Sequence, residues 1–211
     1  MRKGVVIDLD GSLMNTNTFQ KYIVFVTKEA FRIFRFDIII ALFGWVALRK
    51  CRFITHERMK CHILKKTCFF MNSKRLGVFV DRLMDDINVC VQKVLEVKRR
   101  SGYYICLSTA APESYAQIIS DRLEFEGFCA SSIPVNKDRD WHENVREVKK
   151  NNTLRFLKER DIEMSILITD HYDDLPLLYE KKECNYLVNP SLKTLDYCKA
   201  ACIRFELLIN K

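Results

Sequence analysis

Residues 5–12, Val-Val-Ile-Asp-Leu-Asp-Gly-Ser, constrain the fold of this 211-residue chain more than any other segment. The apolar run predicts a buried parallel strand, and Gly11 predicts the turn that leaves it. Asp8 and Asp10 then lie at the carboxyl end of the strand, the edge where parallel α/β sheets build their sites. Two carboxylates this close repel each other unless a cation or a shared proton lies between them. The segment therefore predicts a hard-metal site in which one carboxylate is also a nucleophile.

The second half of the chain alternates short apolar runs with helical segments. Strand-like runs occur at residues 103–107, 128–131, 165–169 and 185–188. This alternation predicts an α/β fold with a doubly wound, mainly parallel sheet that helices cover on both faces.

The first strand is separated from the next by some ninety residues. This distance is too long for a single crossover helix, so it predicts an inserted subdomain. We expect a catalytic core at residues 1–14 and 92–211 and a helical cap at residues 15–91.

The predicted cap carries the basic excess of the whole protein. It contains 14 Lys or Arg residues and 6 Asp or Glu residues, whereas the remainder contains 21 of each. Lys21, Lys28, Arg32 and Arg35 are spaced to form one stripe along a helix. The net charge of +8 therefore belongs to one segment.

Residues 38–48 form an uninterrupted apolar run that basic residues follow. Eleven residues are too few to span a bilayer as a helix. The run predicts a buried cap helix or a dimer contact. A segment lying in a membrane interface is the alternative, because basic flanks and aromatic residues suit both environments.

Polar side chains also end the later strands. Thr109 follows one strand just before a helix, where a hydroxyl and backbone N–H groups would hold a phosphate oxygen. Asp170 follows another strand, although an acid at a helix start is also a common cap. Lys149 and Lys150 lie before that strand and just before a helix that we expect over residues 153–160, and lysine pairs are ordinarily solvated.

Together these segments resemble the four motifs of the haloacid dehalogenase superfamily of phosphohydrolases. Residues 8–12 look like the first motif, Thr109 like the second, and Lys150 like the third, with Lys149 as the alternative. Asp170, followed four residues later by another aspartate, resembles the fourth. The position and length of the helical insert are similar to those of the C1-capped, phosphoserine-phosphatase-like branch.

The resemblance implies a Mg²⁺-dependent phosphomonoester hydrolase that works through an aspartyl-phosphate. Asp8 would attack the phosphorus, and Asp10 would protonate the leaving oxygen and later deprotonate the attacking water. Mg²⁺ would be held by Asp8, Asp170 and the backbone carbonyl of Asp10.

The remaining motif residues would bind and orient the phosphoryl group. Thr109 and Lys150 would hold its oxygens, with Lys150 stabilising the charge of the transition state. Asp174 would orient Lys150 or a metal-bound water, and Asp173 is the weaker candidate for that role.

The substrate is less constrained than the reaction. Phosphoserine phosphatases carry a Glu that reads the substrate amine, and Asn17 occupies that position here. An amide lacks the negative charge that an ammonium group requires, so phosphoserine is disfavoured. The basic, aromatic insert favours a small or lipid-linked organic phosphate instead.

Two other functions remain open from the sequence. Asp10 argues against dehalogenation, because dehalogenases of the superfamily lack the second acid, but a phosphomutase would use both acids. A non-catalytic module could use the basic cap to bind a membrane or nucleic acid, although no recognised motif supports nucleic acid as a partner. A homodimer is also compatible with the apolar run.

The nine cysteines are scattered and odd in number. This pattern is typical of thiols in a reducing compartment rather than of a disulfide framework. We therefore expect a cytoplasmic protein, with peripheral association at the inner face of the membrane as the alternative.

Overall fold

A single parallel sheet organises the protein. The computed structural model describes residues 1–134 and 141–209, so residues 135–140 and 210–211 of the predicted core lie outside the described residues. The strands are β1 (Arg2–Ile7), β2 (Tyr104–Pro112), β3 (Gly127–Ser131), β4 (Ile162–Thr169), β5 (Cys184–Val188) and β6 (Glu206–Leu208). Their order is β3-β2-β1-β4-β5-β6, and all neighbouring pairs are parallel. The predicted α/β fold with a mainly parallel sheet is confirmed.

Helices connect the strands. They are α1 (Thr18–Arg32), α2 (Phe36–Lys50), α3 (His56–Thr67), α4 (Ser73–Leu83), α5 (Val89–Arg100), α6 (Glu113–Arg122), α7 (Arg146–Lys158), α8 (Leu175–Leu178) and α9 (Leu192–Ala200). Short 3₁₀ turns occupy Met84–Asp86 and Tyr172–Asp174. Helices α1 to α5 all lie between β1 and β2, so the long gap between the first two strands is filled with helices.

The sheet separates two hydrophobic clusters. Successive residues of a strand point to opposite faces, and Val5 and Ile7 accordingly belong to one cluster while Val6 belongs to the other. The first cluster also contains buried residues of α1 to α6, and the second contains Leu157 of α7 and Cys198 of α9. Helices therefore cover both faces of the sheet, as the sequence predicted.

Helices α1 and α4 pack against α6 through aromatic side chains. The ring of Tyr115 lies 5.8 Å from that of Tyr22 and 5.3 Å from that of Phe79, measured between centroids. The hydroxyls of Thr18 and Tyr115 share a hydrogen bond of 3.0 Å. All four side chains are buried, so this contact is dry and fixes the start of α1 against the core.

Helix α2 differs from the helix that residues 38–48 predicted. We expected a buried cap helix, but α2 buries Ile38 and Leu42 and leaves a second apolar face exposed. Periodicity could not reveal this arrangement, because the run is apolar on all sides of the helix. No helix among residues 1–134 and 141–209 combines the length and the apolar character that crossing a bilayer requires.

Some elements differ from the predicted ones. Arg35 lies outside α1, because Phe34 takes a left-handed conformation with φ of 57° and ends the basic stripe at Arg32. The helix that we expected from Thr153 begins seven residues earlier, at Arg146. Strand β6 was not predicted, since three residues are too few to show a period.

Candidate active site

The carboxyl ends of β1 and β4 bring acids together from distant parts of the sequence. Ile7 pairs with Ile168 in the parallel register, so Asp8 and Asp170 leave neighbouring strands at the same edge. The N–H of Asp8 donates to the carbonyl of Ile168 at 2.9 Å, which continues the hydrogen-bond ladder one residue beyond β1. Asp8, Asp10 and Asp170 line one open cavity of about 480 Å³. The structure thus brings together the three acids that the sequence singled out.

Gly11 turns the chain out of β1 directly against Asp170. Its φ of 75° lies in the left-handed region that favours glycine. A Cβ at this position would lie 2.3 Å from Oδ2 of Asp170. The hydroxyl of Ser12 contacts Oδ1 of the same carboxylate at 3.4 Å. Gly11 is therefore needed both for the turn and for the position of Asp170.

We expect Gly11→Ala to destabilise the protein by about 1–3 kcal/mol, because the methyl group is strained at this φ and displaces Asp170. Urea unfolding measures the change. Gly44→Ala is the matched control: Gly44 lies in α2 with no neighbour within 4 Å of an added Cβ, so alanine should be neutral or stabilise by up to about 1 kcal/mol. Equal unfolding midpoints for the two variants would contradict the assigned role of Gly11.

Asp10 is held by the first turn of α1. Its Oδ1 accepts a hydrogen bond of 2.9 Å from the backbone N–H of Thr18. Burial raises the pKa of Asp10, while this hydrogen bond acts to lower it. The side chain of Asn17 accepts from the N–H of Gln20 and so caps the same helix. Asp10 therefore has a fixed position and a raised affinity for a proton.

Lys149, not Lys150, is the lysine that the structure places in the site. The Nζ of Lys149 donates to Oδ1 of Asp8 at 2.7 Å and to the carboxylate of Asp174 at 2.8 Å. Lys150 lies outside the cavity and pairs with Glu180 at 2.6 Å. The two lysines are neighbours in α7, and successive helical residues point about 100° apart, so only one of them can face the acids.

Asp174 lies behind Lys149 and is itself oriented by β4. The hydroxyl of Thr169 donates to Oδ2 of Asp174 at 2.7 Å. Asp173, the weaker candidate, lines the cavity but forms an ion pair of 2.9 Å with Arg146. Asp174 rather than Asp173 therefore contacts the buried lysine.

Carboxyl groups outnumber cationic side chains in the site. Burial raises the pKa of Asp8 to about 8, against the opposing charge of Lys149, and raises that of Asp170 to about 6. Burial also acts to lower the pKa of Lys149, but the charges of Asp174 and Asp8 outweigh it and raise that pKa. Six carboxyl groups in all line this cavity, beside the cationic side chains of Lys60 and Lys149. A further cation would therefore be stabilised here.

Thr109 lies beside the cavity rather than in its wall. Its backbone neighbour Ala110 lines the cavity, while Thr109 is almost fully buried. The Oγ1 of Thr109 accepts from the N–H of Ala111 at 2.9 Å, and its carbonyl accepts from the side chain of Asn144 at 3.0 Å. These bonds order the end of β2, and the hydroxyl hydrogen of Thr109 is the part that could reach a phosphate oxygen.

Sequence reasoning missed a second group of charged residues in the same cavity. Lys60 of α3 donates to Glu143 and, at 2.7 Å, to the carbonyl of Ala110, and both charged side chains are buried. His56, at the start of α3, also lines the cavity. No local signal could have revealed the Lys60–Glu143 pair, since its members are 83 residues apart in the chain.

The donor chemistry of the site suits a hard divalent cation. Within residues 1–134 and 141–209, no three His, Cys, Asp or Glu side chains form a ready-made metal cluster. Mg²⁺, however, is usually bound by one or two carboxylates and completes its coordination with water and substrate phosphate. Asp8 and Asp170 present two such carboxyl groups in one cavity, where acidic side chains outnumber basic ones. The residues present therefore fit Mg²⁺.

Comparison with known families agrees with this arrangement. A family model described as haloacid dehalogenase-like hydrolase matches residues 5–179, from β1 to the end of α8. The matched range contains the acids of the cavity and Lys149. No curated protein matches the chain in sequence.

Several solved structures share the fold. A protein with unknown function from Bordetella pertussis Tohama I superposes with a TM-score of 0.74 and 17% identity, over 99% of this chain and 98% of that one. A phosphoserine phosphohydrolase-like protein from Francisella tularensis superposes with a TM-score of 0.56 and 15% identity, over 98% of this chain and 94% of that one. A phosphoserine phosphatase in its apo form superposes with a TM-score of 0.62 and 13% identity, over 100% of this chain and 94% of that one. At these identities the likeness concerns the fold.

Proposed function

The chain belongs to the haloacid dehalogenase-like hydrolase family, and from this premise we propose that it hydrolyses phosphomonoesters in a Mg²⁺-dependent reaction through an aspartyl-phosphate. One observation carries the proposal: the side chain of Asp8, directly after β1, is only 13% exposed and is held by Lys149, with a second acid, Asp10, two residues away in the same cavity. A nucleophile, a proton donor and a cation thus converge on one space.

Asp8 is the proposed nucleophile. A carboxylate oxygen of Asp8 attacks the phosphorus, and the bond from phosphorus to the leaving oxygen breaks. The contact between Oδ1 of Asp8 and Lys149 fixes the orientation of the carboxylate before the substrate arrives. The product of this half-reaction is an acyl phosphate, a mixed anhydride between phosphate and the side-chain carboxyl group of Asp8.

Asp10 is the proposed general acid and base. In the first half-reaction it gives its proton to the leaving oxygen, which departs as an alcohol. In the second, it takes a proton from a water molecule that attacks the phosphorus, and the bond between phosphorus and Asp8 breaks. The raised pKa of Asp10 supports this role, because the side chain must carry a proton at the start of each cycle.

Lys149 and Thr109 are proposed to bind the phosphoryl oxygens. Lys149 stabilises the charge that spreads over these oxygens in the transition state, and Asp174 keeps its Nζ in position. The hydroxyl of Thr109 donates a hydrogen bond from the end of β2. We therefore assign the stabilisation of the transition-state charge to Lys149 and not to Lys150.

Asp8, Asp170 and the backbone carbonyl of Asp10 would hold Mg²⁺. The ion supplies positive charge that brings the phosphate and the carboxylate of Asp8 together and polarises the phosphoryl group. The excess of buried carboxyl groups over cationic side chains supports this assignment.

Residues 15–91 are proposed to act as a cap that selects the substrate, with residues 1–14 and 92–211 as the core. Asn17 and Phe19 of the insert, together with His56 and Lys60 of α3, line the same cavity as the acids. The group attached to the phosphate would therefore contact the helical insert. Because Asn17 carries no charge to pair with an ammonium group, another small organic phosphate or a lipid-linked one fits better than phosphoserine.

The test is hydrolysis of p-nitrophenyl phosphate with and without Mg²⁺. We expect phosphate release that falls at least about a hundredfold in EDTA and returns when Mg²⁺ is added, because the buried carboxylates otherwise repel the substrate. A panel of soluble and lipid-linked phosphates then separates the two substrate classes. Absence of phosphate release with Mg²⁺ present across the panel would refute the proposed function.

A further inference from the structure

Helix α2 carries an apolar stripe that the rest of the protein does not cover. Phe36, Ile40 and Phe43 recur at intervals of four and three residues, which places them on one face of the helix. They are 48%, 71% and 64% exposed, whereas Ile38 and Leu42 on another face are buried. Helix α2 therefore packs on the protein with one apolar face and presents a second one to the surroundings.

Aromatic residues extend this stripe beyond the start of the helix. The rings of Phe31 and Phe34 lie 6.3 Å and 6.1 Å from that of Phe36, and both side chains are more than half exposed. Phe34 has a positive φ, a conformation that glycine or asparagine adopts at lower cost. The chain thus keeps a large aromatic residue exposed at a turn where a small one would be easier to accommodate.

Basic side chains lie at both ends of the exposed stripe. Residues 28–53 contain six Lys or Arg and two acidic residues, a net charge of +4. Arg35 is neutralised by Asp37, but Arg49, Lys50 and Arg52 follow one another closely at the end of α2 and are exposed. Aromatic and aliphatic side chains bordered by cations are the pattern that binds the headgroup region of anionic bilayers.

Charge decides between the candidate partners for this face. A second copy of the chain would bring two segments of +4 face to face, which like-charge repulsion opposes. An anionic lipid surface complements both the apolar stripe and the flanking cations. We propose that the exposed face of α2 docks the protein on anionic membranes, together with Phe31, Phe34 and the three basic side chains within residues 49–52. This docking surface does not depend on the proposed reaction.

The docking surface also borders the cavity. Helix α2 packs against α3, where the ring of Trp45 stacks on that of His62 with 4.0 Å between centroids. His56 and Lys60 of α3 line the cavity, so α2 lies against the helix that forms one wall of it. A docked protein would hold this wall close to the lipid headgroups.

Vesicle co-sedimentation tests the proposal. We expect the protein to bind vesicles of phosphatidylcholine with about 30% phosphatidylglycerol, and to bind pure phosphatidylcholine at least about tenfold more weakly. Binding should also weaken at least severalfold between 0.1 M and 0.5 M salt, because the cationic contribution is screened. No binding to the anionic vesicles would overturn the proposal.

Substitutions locate the contact. The double variant Ile40→Ser, Phe43→Ser should lose at least about tenfold in affinity for anionic vesicles, because it removes apolar area from the stripe. Its matched control is Val97→Ser, Leu192→Ser, which removes residues 60% and 80% exposed on α5 and α9 and should bind as wild type. The proposal would be overturned if both double variants lost affinity for anionic vesicles equally, or if neither of them lost any.

Two further measurements keep the result interpretable. The single variant Phe43→Trp preserves an apolar side chain, and its fluorescence should be quenched by brominated lipid if α2 enters the interface; no quenching would overturn the proposal. Sedimentation equilibrium without lipid should give a monomer for the wild type. A dimer that Phe43→Ser dissociates would identify the face as a self-interface instead and would also overturn it.

Discussion

Replacing Asp8 with asparagine is expected to reduce phosphate release at least about a thousandfold while the protein stays folded. Asparagine has the shape of aspartate, and its side-chain oxygen can still accept from Lys149. It cannot form the proposed acyl phosphate, because a neutral amide is a poor nucleophile. Loss of turnover would thus report chemistry rather than collapse of the site.

The same variant should be at least as stable as the wild type. Burial already disfavours the charged form of Asp8, whose pKa is raised to about 8, so removing that charge relieves a cost of folding. Asp161→Asn is the matched control, since Asp161 is exposed and its φ of 56° suits asparagine. Activity and urea unfolding would be measured together. A fully active Asp8→Asn protein would refute the assigned nucleophile.

Replacing Lys149 with methionine should lower the rate at least about a hundredfold, whereas Lys150→Met should change it less than about threefold. The first substitution removes a cation that contacts both Asp8 and Asp174, and the second removes a side chain that pairs with Glu180 at the surface. The two residues are sequence neighbours of identical type. Comparing the rates of the two variants therefore separates a role in the site from a general effect of removing one positive charge.

Lys149→Met also leaves two buried carboxyl groups without their cation, which costs up to about 3–5 kcal/mol of stability unless they take up protons. Rates must therefore be compared under conditions where urea unfolding shows each variant folded. The double variant Asp8→Asn, Lys149→Met should recover part of the lost stability, because one of the stranded acids is gone. A slow Lys150→Met protein beside an active Lys149→Met protein would reverse the assignment.

The sheet could be predicted because its strands are apolar and end in recognisable polar residues. The family resemblance implied that Asp8 and Asp170 would share a metal ion, and the structure places their strands, β1 and β4, side by side with the carboxyl ends at one edge. Strand β6 and the exposed face of α2 could not be predicted. The first is too short to show a period, and the second depends on which side of a uniformly apolar helix the rest of the protein covers.

The choice between the two lysines shows where sequence reasoning about the site stops. The predicted helix began at Thr153, which left Lys149 and Lys150 in a loop with no defined direction. In the structure α7 begins at Arg146, so both lysines are helical and the rotation of the helix decides which one faces Asp8. The pairing of Lys60 with Glu143 could not be predicted from the sequence at all, because it depends entirely on tertiary packing.

The hydrogen bond from the backbone N–H of Thr18 to Asp10 ties the start of α1 to the acid that follows β1. The Thr18 hydroxyl is also bonded to the hydroxyl of Tyr115 in α6, so the opening turn of α1 is held from two sides. A backbone shift at Thr18 would therefore displace Asp10, whereas changes from α2 onward leave this hydrogen bond in place. Engineering of substrate preference in the proposed cap would accordingly begin at α2 and leave the opening turn of α1 unchanged.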